Sequence, residues 1–266
     1  MIKVAFLNAF LRSPVFLFPD QQELRLKYIL KSTFTRCPEL DFLGLCEVWR
    51  GFETPLRTEA WQKYKYLSIT DTQSTNLFQN SGLMLLYNDK KFVLKSYKFY
   101  VFKDAYLLDS LAQKGVLLGV FQDRVTKQNV YILVTHLNDC LNGSISVRKV
   151  QYKQLVQLKE IMVRNIPFTA RYIAMGDFNI DLRTNSYFPL SYALESIGDI
   201  YNHHVPTYMG NIGCVCSRRS VKKSARVYDH IFGRPGTSVH RYCVYNQHYQ
   251  GVPISDHCLI SAELYE

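Results

Sequence analysis

At 266 residues the chain is long enough for one large domain with a substantial core. A hydrophobic fraction of 47% with ordinary Gly and Pro content excludes disordered and low-complexity classes. Lys and Arg number 32 against 22 Asp and Glu, a net +10 that favours a polyanionic or anionic-surface partner without choosing between nucleic acid and membrane.

Seven cysteines, an odd number with several in apolar runs, argue for reduced thiols rather than a disulfide framework, and the lone Cys214-x-Cys216 pair is weak support for zinc. The N-terminus shows no secretory leader, and no apolar run approaches the roughly 18 residues that span a bilayer. A cytoplasmic chain is expected, with peripheral attachment to a membrane left open.

In chain order, Ile2 to Phe10 is an apolar strand broken by Asn8, which is either a strand terminator or a placed polar group. Asp20 to Phe34 reads as a helix capped by Asp20, and Pro38 ends that stretch. Asp41 to Trp49 is a buried strand in which Glu47 is the misfit. An ionised carboxylate there needs a partner, either a divalent cation or an Arg or Lys. Strands follow over Ser81 to Tyr87, Phe92 to Phe102, Gly115 to Gln122 and Val130 to Asn138. The last carries His136 near its end, either structural or an imidazolium touching phosphate. Phe99, Tyr100, Phe102 and Tyr106 are candidates for lipid contact or for the core.

Ser146 to Arg164 is the clearest helix, with Val147, Val150, Leu155, Leu158, Ile161 and Met162 at helical spacing, Ser144 or Ser146 as cap and Pro167 after its end. The run from Tyr172 into Asp181 predicts a buried strand whose carboxyl edge carries Asp177 and Asn179. Alternation about Phe178 points both side chains the same way. Cys216 to Arg226 is a basic loop with Arg218, Arg219, Lys222, Lys223 and Arg226. It feeds the apolar run Val227 to Phe232, interrupted by Asp229. Before the closing strand come Asp256 and His257, and alternation predicts that His257 pairs with a distant carboxylate rather than with its neighbour. Without internal repeat or linker, residues 1–266 are expected to form a single domain.

Asn8, Glu47, His136, Asp177 with Asn179, Asp229, and Asp256 with His257 thus stand at successive strand ends where propensity would not choose them. Buried polar groups must be satisfied, and their recurrence is best explained by strands converging on one site. In that order, Asn8, the Leu45-Cys46-Glu47-Val48-Trp49 box, Thr135-His136-Leu137-Asn138-Asp139, Met175 to Asp181, Tyr228 to Phe232 and Ser255-Asp256-His257 resemble the endonuclease/exonuclease/phosphatase superfamily of metal-dependent phosphoesterases. The stretches Asn80 to Tyr87 and Leu111 to Phe121, with Arg148 and Gln151 opening the helix, look like its neutral sphingomyelinase branch. Cys46 and Asn138 depart from that branch, which has Gln at the first position usually and at the second often. Phe10 stands where relatives acting on abasic DNA commonly carry Asp.

The resemblance implies an α/β four-layer sandwich, with two mixed β-sheets face to face, helices outside and a site at one edge. It implies Mg2+ held by Glu47 with Asn8 and with Asp256 nearby, and His257 as general base oriented by Asp229. Asp177 would align the water, Asn179 and His136 would bind phosphoryl oxygens, and Lys114 and Arg148 would contact substrate. The implied substrate is a sphingolipid phosphodiester, with a nucleic-acid phosphodiester as alternative and a catalytically dead binding module as the contrasting reading. No obligate protein partner is implied.

Overall fold

In the computed structural model the described residues are 1–11, 21–49, 51–71, 80–106, 112–139, 144–185, 187–201, 204–209, 225–249 and 251–265. Strand β1 (Ile2–Leu11) leads through helix α1 (Gln22–Arg36) to β2 (Phe42–Val48), and β1 and β2 pair in parallel. Helix α2 (Glu53–Glu59) runs on into a π-helical turn, Ala60–Tyr64. The hairpin partners β3 (Leu67–Thr70) and β4 (Met84–Tyr87) follow, then the antiparallel run β5 (Phe92–Val101), β6 (Gly115–Asp123) and β7 (Asn129–His136). Helix α3 (Ile145–Asn165) crosses to β8 (Arg171–Asp177), again parallel to its predecessor. The remainder is α4 (Phe188–Glu195), β9 (Asp199–Ile200), β10 (Asp229–Gly233), β11 (Ser238–Tyr245), the small pair β12 (His248–Tyr249) and β13 (Val252–Pro253), and β14 (Leu259–Tyr265).

The strands form two six-stranded mixed sheets, ordered β11-β14-β1-β2-β4-β3 and β5-β6-β7-β8-β10-β9. Three apolar clusters show how they are layered. One, including Phe6, Phe42, Phe92, Phe121, Val134 and Met175, draws on both sheets and fills the space between them. The second packs α1 and α2 on the first sheet, through Ile29, Leu30 and Leu56 against Leu7, Leu43 and Leu45. The third packs α3 and α4 on the second sheet, through Leu155, Leu158 and Leu194 against Leu133 and Ala174. Each apolar face must be buried against another element, so three such interfaces make four layers, helix, sheet, sheet, helix. Strands β1, β2, β7 and β8 are almost wholly buried, which is why they read as continuous apolar runs.

Several boundaries differ from the sequence reading. Helix α1 starts at Gln22 and runs to Arg36; Gln21, in the left-handed region, precedes it without a side-chain cap, and Asp20 lies outside the described residues. Strand β4 begins at Met84 rather than Ser81 because Gly82, at φ 68°, turns the chain so that its carbonyl accepts from the Val48 N–H. The cap of α3 is Ser144, whose hydroxyl accepts from the Val147 N–H at 3.4 Å. Phe99 and Phe102 are core residues, and Tyr100 donates its hydroxyl to Asn165 at 2.6 Å; of the four lipid-contact candidates only Tyr106 is exposed. Most of the basic loop from Cys216 lies outside the described residues, as do Cys140, Cys214 and Cys216. Cys37, Cys46, Cys243 and Cys258 are free thiols. None of the described helices is long and apolar enough to cross a membrane.

Candidate active site

The carboxyl ends of the two parallel pairs meet at one edge of the sandwich. In a sheet with crossover helices, side chains beyond these ends are free of the ladder and converge in a crevice. Asn8 lies opposite Cys46 in the β1/β2 register, His136 opposite Asp177 in β7/β8, and Asp229 opposite Asp177 in the antiparallel β8/β10 pair. Three residues at these ends leave the extended conformation: Phe10 at φ 49°, Glu47 at φ 52° and Asn179 at φ 53°. Such left-handed positions cost about 1–3 kcal/mol each and persist where the surroundings over-determine them. Gly82 helps hold Glu47, since a Cβ there would lie 3.3 Å from Glu47 Cα and N.

The side chains then interlock across the two sheets. Asn8 Nδ2 donates to Glu47 Oε1 at 2.8 Å and to Asp177 Oδ2 at 3.0 Å, while its Oδ1 accepts from the Phe10 N–H at 3.0 Å. His257 Nδ1 donates to Asp229 Oδ2 at 2.8 Å, and its Nε2 lies 3.7 Å from Asp177 Oδ2. His136 Nε2 stands 3.6 Å from Asp177 Oδ2 and 4.0 Å from Glu47 Oε1. The distant carboxylate expected for His257 is therefore Asp229, on the opposite sheet.

Alternation does not extend to Asn179, which lies beyond the end of the strand. Strand β8 ends at Asp177, and the positive φ turns Asn179 so that its backbone N–H bonds Asp177 Oδ1 at 2.9 Å and its Nδ2 bonds the Leu137 carbonyl at 3.2 Å. It thereby ties the ends of β7 and β8 together. Glu47 has the Asn8 amide as its hydrogen-bond partner, in place of the Arg or Lys that the sequence left open.

The electrostatics are those of crowded acids. Burial pushes the Asp177 carboxyl well above the usual carboxylate range; His257 and the Asn8 amide oppose this, and Asp229 and Glu47 reinforce it. Burial and the nearby Asp256 likewise raise Glu47. Burial opposes charge on His257, but the carboxylates of Asp229, Asp177 and Asp256 outweigh it and hold the imidazole well above its ordinary value. Burial, with the cations of Lys114 and His257, depresses His136 well below its ordinary value, which disfavours the imidazolium form in the absence of a bound anion.

The structure brings Asn8, Glu47, His136, Asp177, Asp229 and His257 into one contact network. Asp256 and the buried Lys114 lie close enough to act on it electrostatically. Arg148 is half-buried, with Nη1 donating to Asn185 Oδ1 at 2.8 Å. Sequence reasoning missed the residues that hold the frame. Thr207 Oγ1 accepts from the N–H groups of Tyr228 and Asp229 at 3.1 and 3.0 Å, and Ser255 donates to the Asn8 carbonyl at 2.6 Å. The Tyr208 ring centroid lies 4.9 Å from that of His257. Thr207 and Tyr208 sit in an irregular segment with no periodic signal.

The donors fit a hard divalent cation. Glu47 and Asp177 aim carboxylate oxygens at one amide group, where the Asn8 NH2 stands as a cation would, and Asp229 Oδ1 is buried with no hydrogen-bond partner. All-oxygen donors of this kind match Mg2+. To present its own oxygen, Asn8 must turn its amide over and release Phe10.

No protein-family model matches the chain, and no curated protein matches it by sequence. Solved structures match over its full length. Sphingomyelinase C from Streptomyces griseocarneus is 19% identical with TM-score 0.74, over 98% of both chains. An endonuclease/exonuclease/phosphatase from Bacteroides vulgatus is 15% identical with TM-score 0.74, over 99% of this chain and 98% of the other. TDP2 from D. rerio, complexed with a single-strand DNA product, is 14% identical with TM-score 0.72, over 100% and 99%. With two mixed sheets face to face and helices outside, this chain has the α/β sandwich fold of the endonuclease/exonuclease/phosphatase proteins.

Proposed function

We propose that this chain is a Mg2+-dependent phosphodiesterase in which His257 activates the attacking water. The observation that carries the reading is the Asp229 to His257 to Asp177 array, buried at the junction of the two sheets beside Glu47 and Asn8. Asp229 accepts the Nδ1–H of His257, so that in the fraction of protein whose imidazole is neutral Nε2 faces the site and takes the water proton. Asp177, beside that nitrogen, aligns the water. The water oxygen bonds to phosphorus as the bond to the leaving oxygen breaks; the leaving oxygen takes one proton from solvent, and His257 later returns to solvent the one it took. His136 and Asn179 bind the phosphoryl oxygens, and Lys114 and Arg148 hold the rest of the substrate. Glu47, Asn8 and Asp256 would hold Mg2+, which supplies positive charge against the phosphoryl oxygens and the departing group.

The favoured substrate is sphingomyelin, cleaved to ceramide and phosphocholine. The Asn80 to Tyr87 and Leu111 to Phe121 stretches and the likeness to sphingomyelinase C support this. The second reading is a nuclease. It is favoured by the net +10 charge, since Lys and Arg contacts to phosphate provide most nonspecific nucleic-acid affinity, and by the likeness to TDP2. The test gives the same protein sphingomyelin in mixed micelles and supercoiled plasmid, with and without Mg2+, and His257→Ala as control. Phosphocholine release that needs both Mg2+ and His257 supports the lipid reading, and nicking with the same dependence transfers the mechanism to nucleic acid. Neither activity, from folded protein, removes the proposal.

A further inference from the structure

Behind the oxygen-rich face lies a donor set of different character. Cys46 occupies the inter-sheet side of β2, fully buried, one residue before Glu47. Its Sγ, a ring nitrogen of His136 and a carboxylate oxygen of Asp177 all lie within 4.8 Å of one another. The His136 Nε2 to Asp177 Oδ2 separation is already 3.6 Å. Tetrahedral zinc, with Zn–S about 2.3 Å and Zn–N or Zn–O about 2.0–2.1 Å, needs ligand atoms roughly 3.3–3.6 Å apart. Closing the set therefore takes side-chain adjustment at Cys46 and no movement of strands. A second observation points the same way: His136 is 5% exposed and its Nδ1 has no hydrogen-bond partner, so the imidazole is not anchored through that nitrogen and can turn to a ligand.

We infer that Cys46, His136 and Asp177 form a binding site for a thiophilic divalent cation of the zinc class, overlapping the phosphodiesterase site and switching it off when filled. A thiolate and an imidazole select zinc over magnesium, because Mg2+ wants hard oxygen donors whereas zinc takes sulfur and nitrogen. On binding, the Cys46 thiol releases its proton to solvent and its sulfur donates a lone pair to the metal; no oxidant is involved. The filled site engages Asp177 and His136 and takes both from the roles proposed above. Binding stands on the donor set alone, whereas inhibition rests on the phosphodiesterase reading.

The experiment uses the full chain with Cys214→Ser and Cys216→Ser, so that the Cys-x-Cys pair contributes nothing. Co2+ is the spectroscopic probe and Zn2+ the competitor. The expected result is a thiolate-to-cobalt charge-transfer band in the near ultraviolet that Zn2+ abolishes and that is absent in Cys46→Ser. Zn2+ affinity, measured against a chromophoric chelator, falls at least about tenfold in Cys46→Ser and in His136→Gln, since even an outer-shell partner is worth roughly 10–100-fold. His136→Gln keeps the thiol and its buried surroundings, and urea midpoints check that both variants fold. A band that persists in Cys46→Ser, no band in the parent, or unchanged Zn2+ affinity in folded His136→Gln overturns the site. With sphingomyelin or plasmid as substrate, the Zn2+ concentration for half inhibition rises by the same factor in Cys46→Ser, read as a ratio within each variant. Protein that shows the Cys46-dependent band but hydrolyses neither substrate keeps the metal site and loses the phosphodiesterase.

Discussion

Asp229→Asn isolates what the proposed mechanism asks of one atom. Asp229 is fully buried, its Oδ2 accepts from His257 Nδ1 at 2.8 Å, and its backbone N–H is held by Thr207, so the amide fits the same space on the same anchor. What is lost is the charge. A hydrogen bond to a charged group is worth about 1.5–3 kcal/mol, and each 1.36 kcal/mol in the barrier is a factor of ten, giving a fall in kcat/KM of roughly 10–150-fold. If the amide also turns its NH2 toward Nδ1 it selects the wrong tautomer, and losses near 10⁴-fold are then expected by analogy with the serine-protease triad. The assay is steady-state hydrolysis at saturating Mg2+ on whichever substrate the comparison above selects, with the urea midpoint measured in parallel. The expected result is a kcat reduced by about 10- to 10⁴-fold with KM little changed. A folded variant within threefold of the parent refutes the role given to Asp229, and with it the assignment of His257 as base.

Other outcomes follow from the same coordinates. Glu47→Gln removes a carboxylate from the proposed Mg2+ site, so the Mg2+ concentration for half-maximal activity should rise at least about tenfold, as loss of even an outer-shell partner can cost 10–100-fold; an unchanged Mg2+ dependence counts against Glu47 as ligand. Gly176→Ala places a Cβ 2.3 Å from the Thr135 carbonyl oxygen, between the strands that carry His136 and Asp177, and a loss of roughly 1–3 kcal/mol is expected in urea unfolding. Phe121→Ala empties the space against Phe42 and Tyr87 between the sheets, with an expected loss of about 3–5 kcal/mol by the same measurement. For Asp181, burial opposes ionisation, but the Arg183 guanidinium at 2.7 Å and the Val227 N–H overcome it and hold the carboxyl below its usual range. A depressed folded-state value stabilises above the unfolded value of about 3.9 and is lost as pH falls through the folded one. Asp181→Asn should therefore lower the thermal midpoint at neutral pH and flatten its decline below about pH 4; parallel acid limbs would refute this.

The strands were legible because burial on both faces leaves apolar runs, and the site was legible because Asn8, Glu47, His136, Asp177, Asp229 and His257 break those runs where the ladder ends. Alternation correctly denied a His257–Asp256 pair, since facing of neighbours is a local property, but it could not name Asp229, which depends on how two sheets stack. It does not reach Asn179, because β8 ends at Asp177 and Asn179 is left-handed, and nothing in Asp177-Phe178-Asn179 distinguishes that from continued strand. For His136, residue type gives only the ordinary titration, and the burial and nearby Lys114 that lower it depend on how the sheets stack. Thr207 and Ser255 were invisible, being hydroxyls in irregular segments whose partners are backbone groups.

The hydrogen bond from His257 to Asp229 joins a residue leading into β14 to one beginning β10, and so spans the two sheets, as does the bond from Asn8 to Asp177. The proposed catalytic groups are thus divided between two slabs held in register by the apolar layer that Phe42, Phe92 and Phe121 fill. On the proposed mechanism, turnover becomes a gauge of that register: a sliding of one slab against the other by a fraction of a hydrogen-bond length would silence the protein while every strand remained intact. Under gentle heating or pressure, activity should disappear before the far-ultraviolet signal of its strands does.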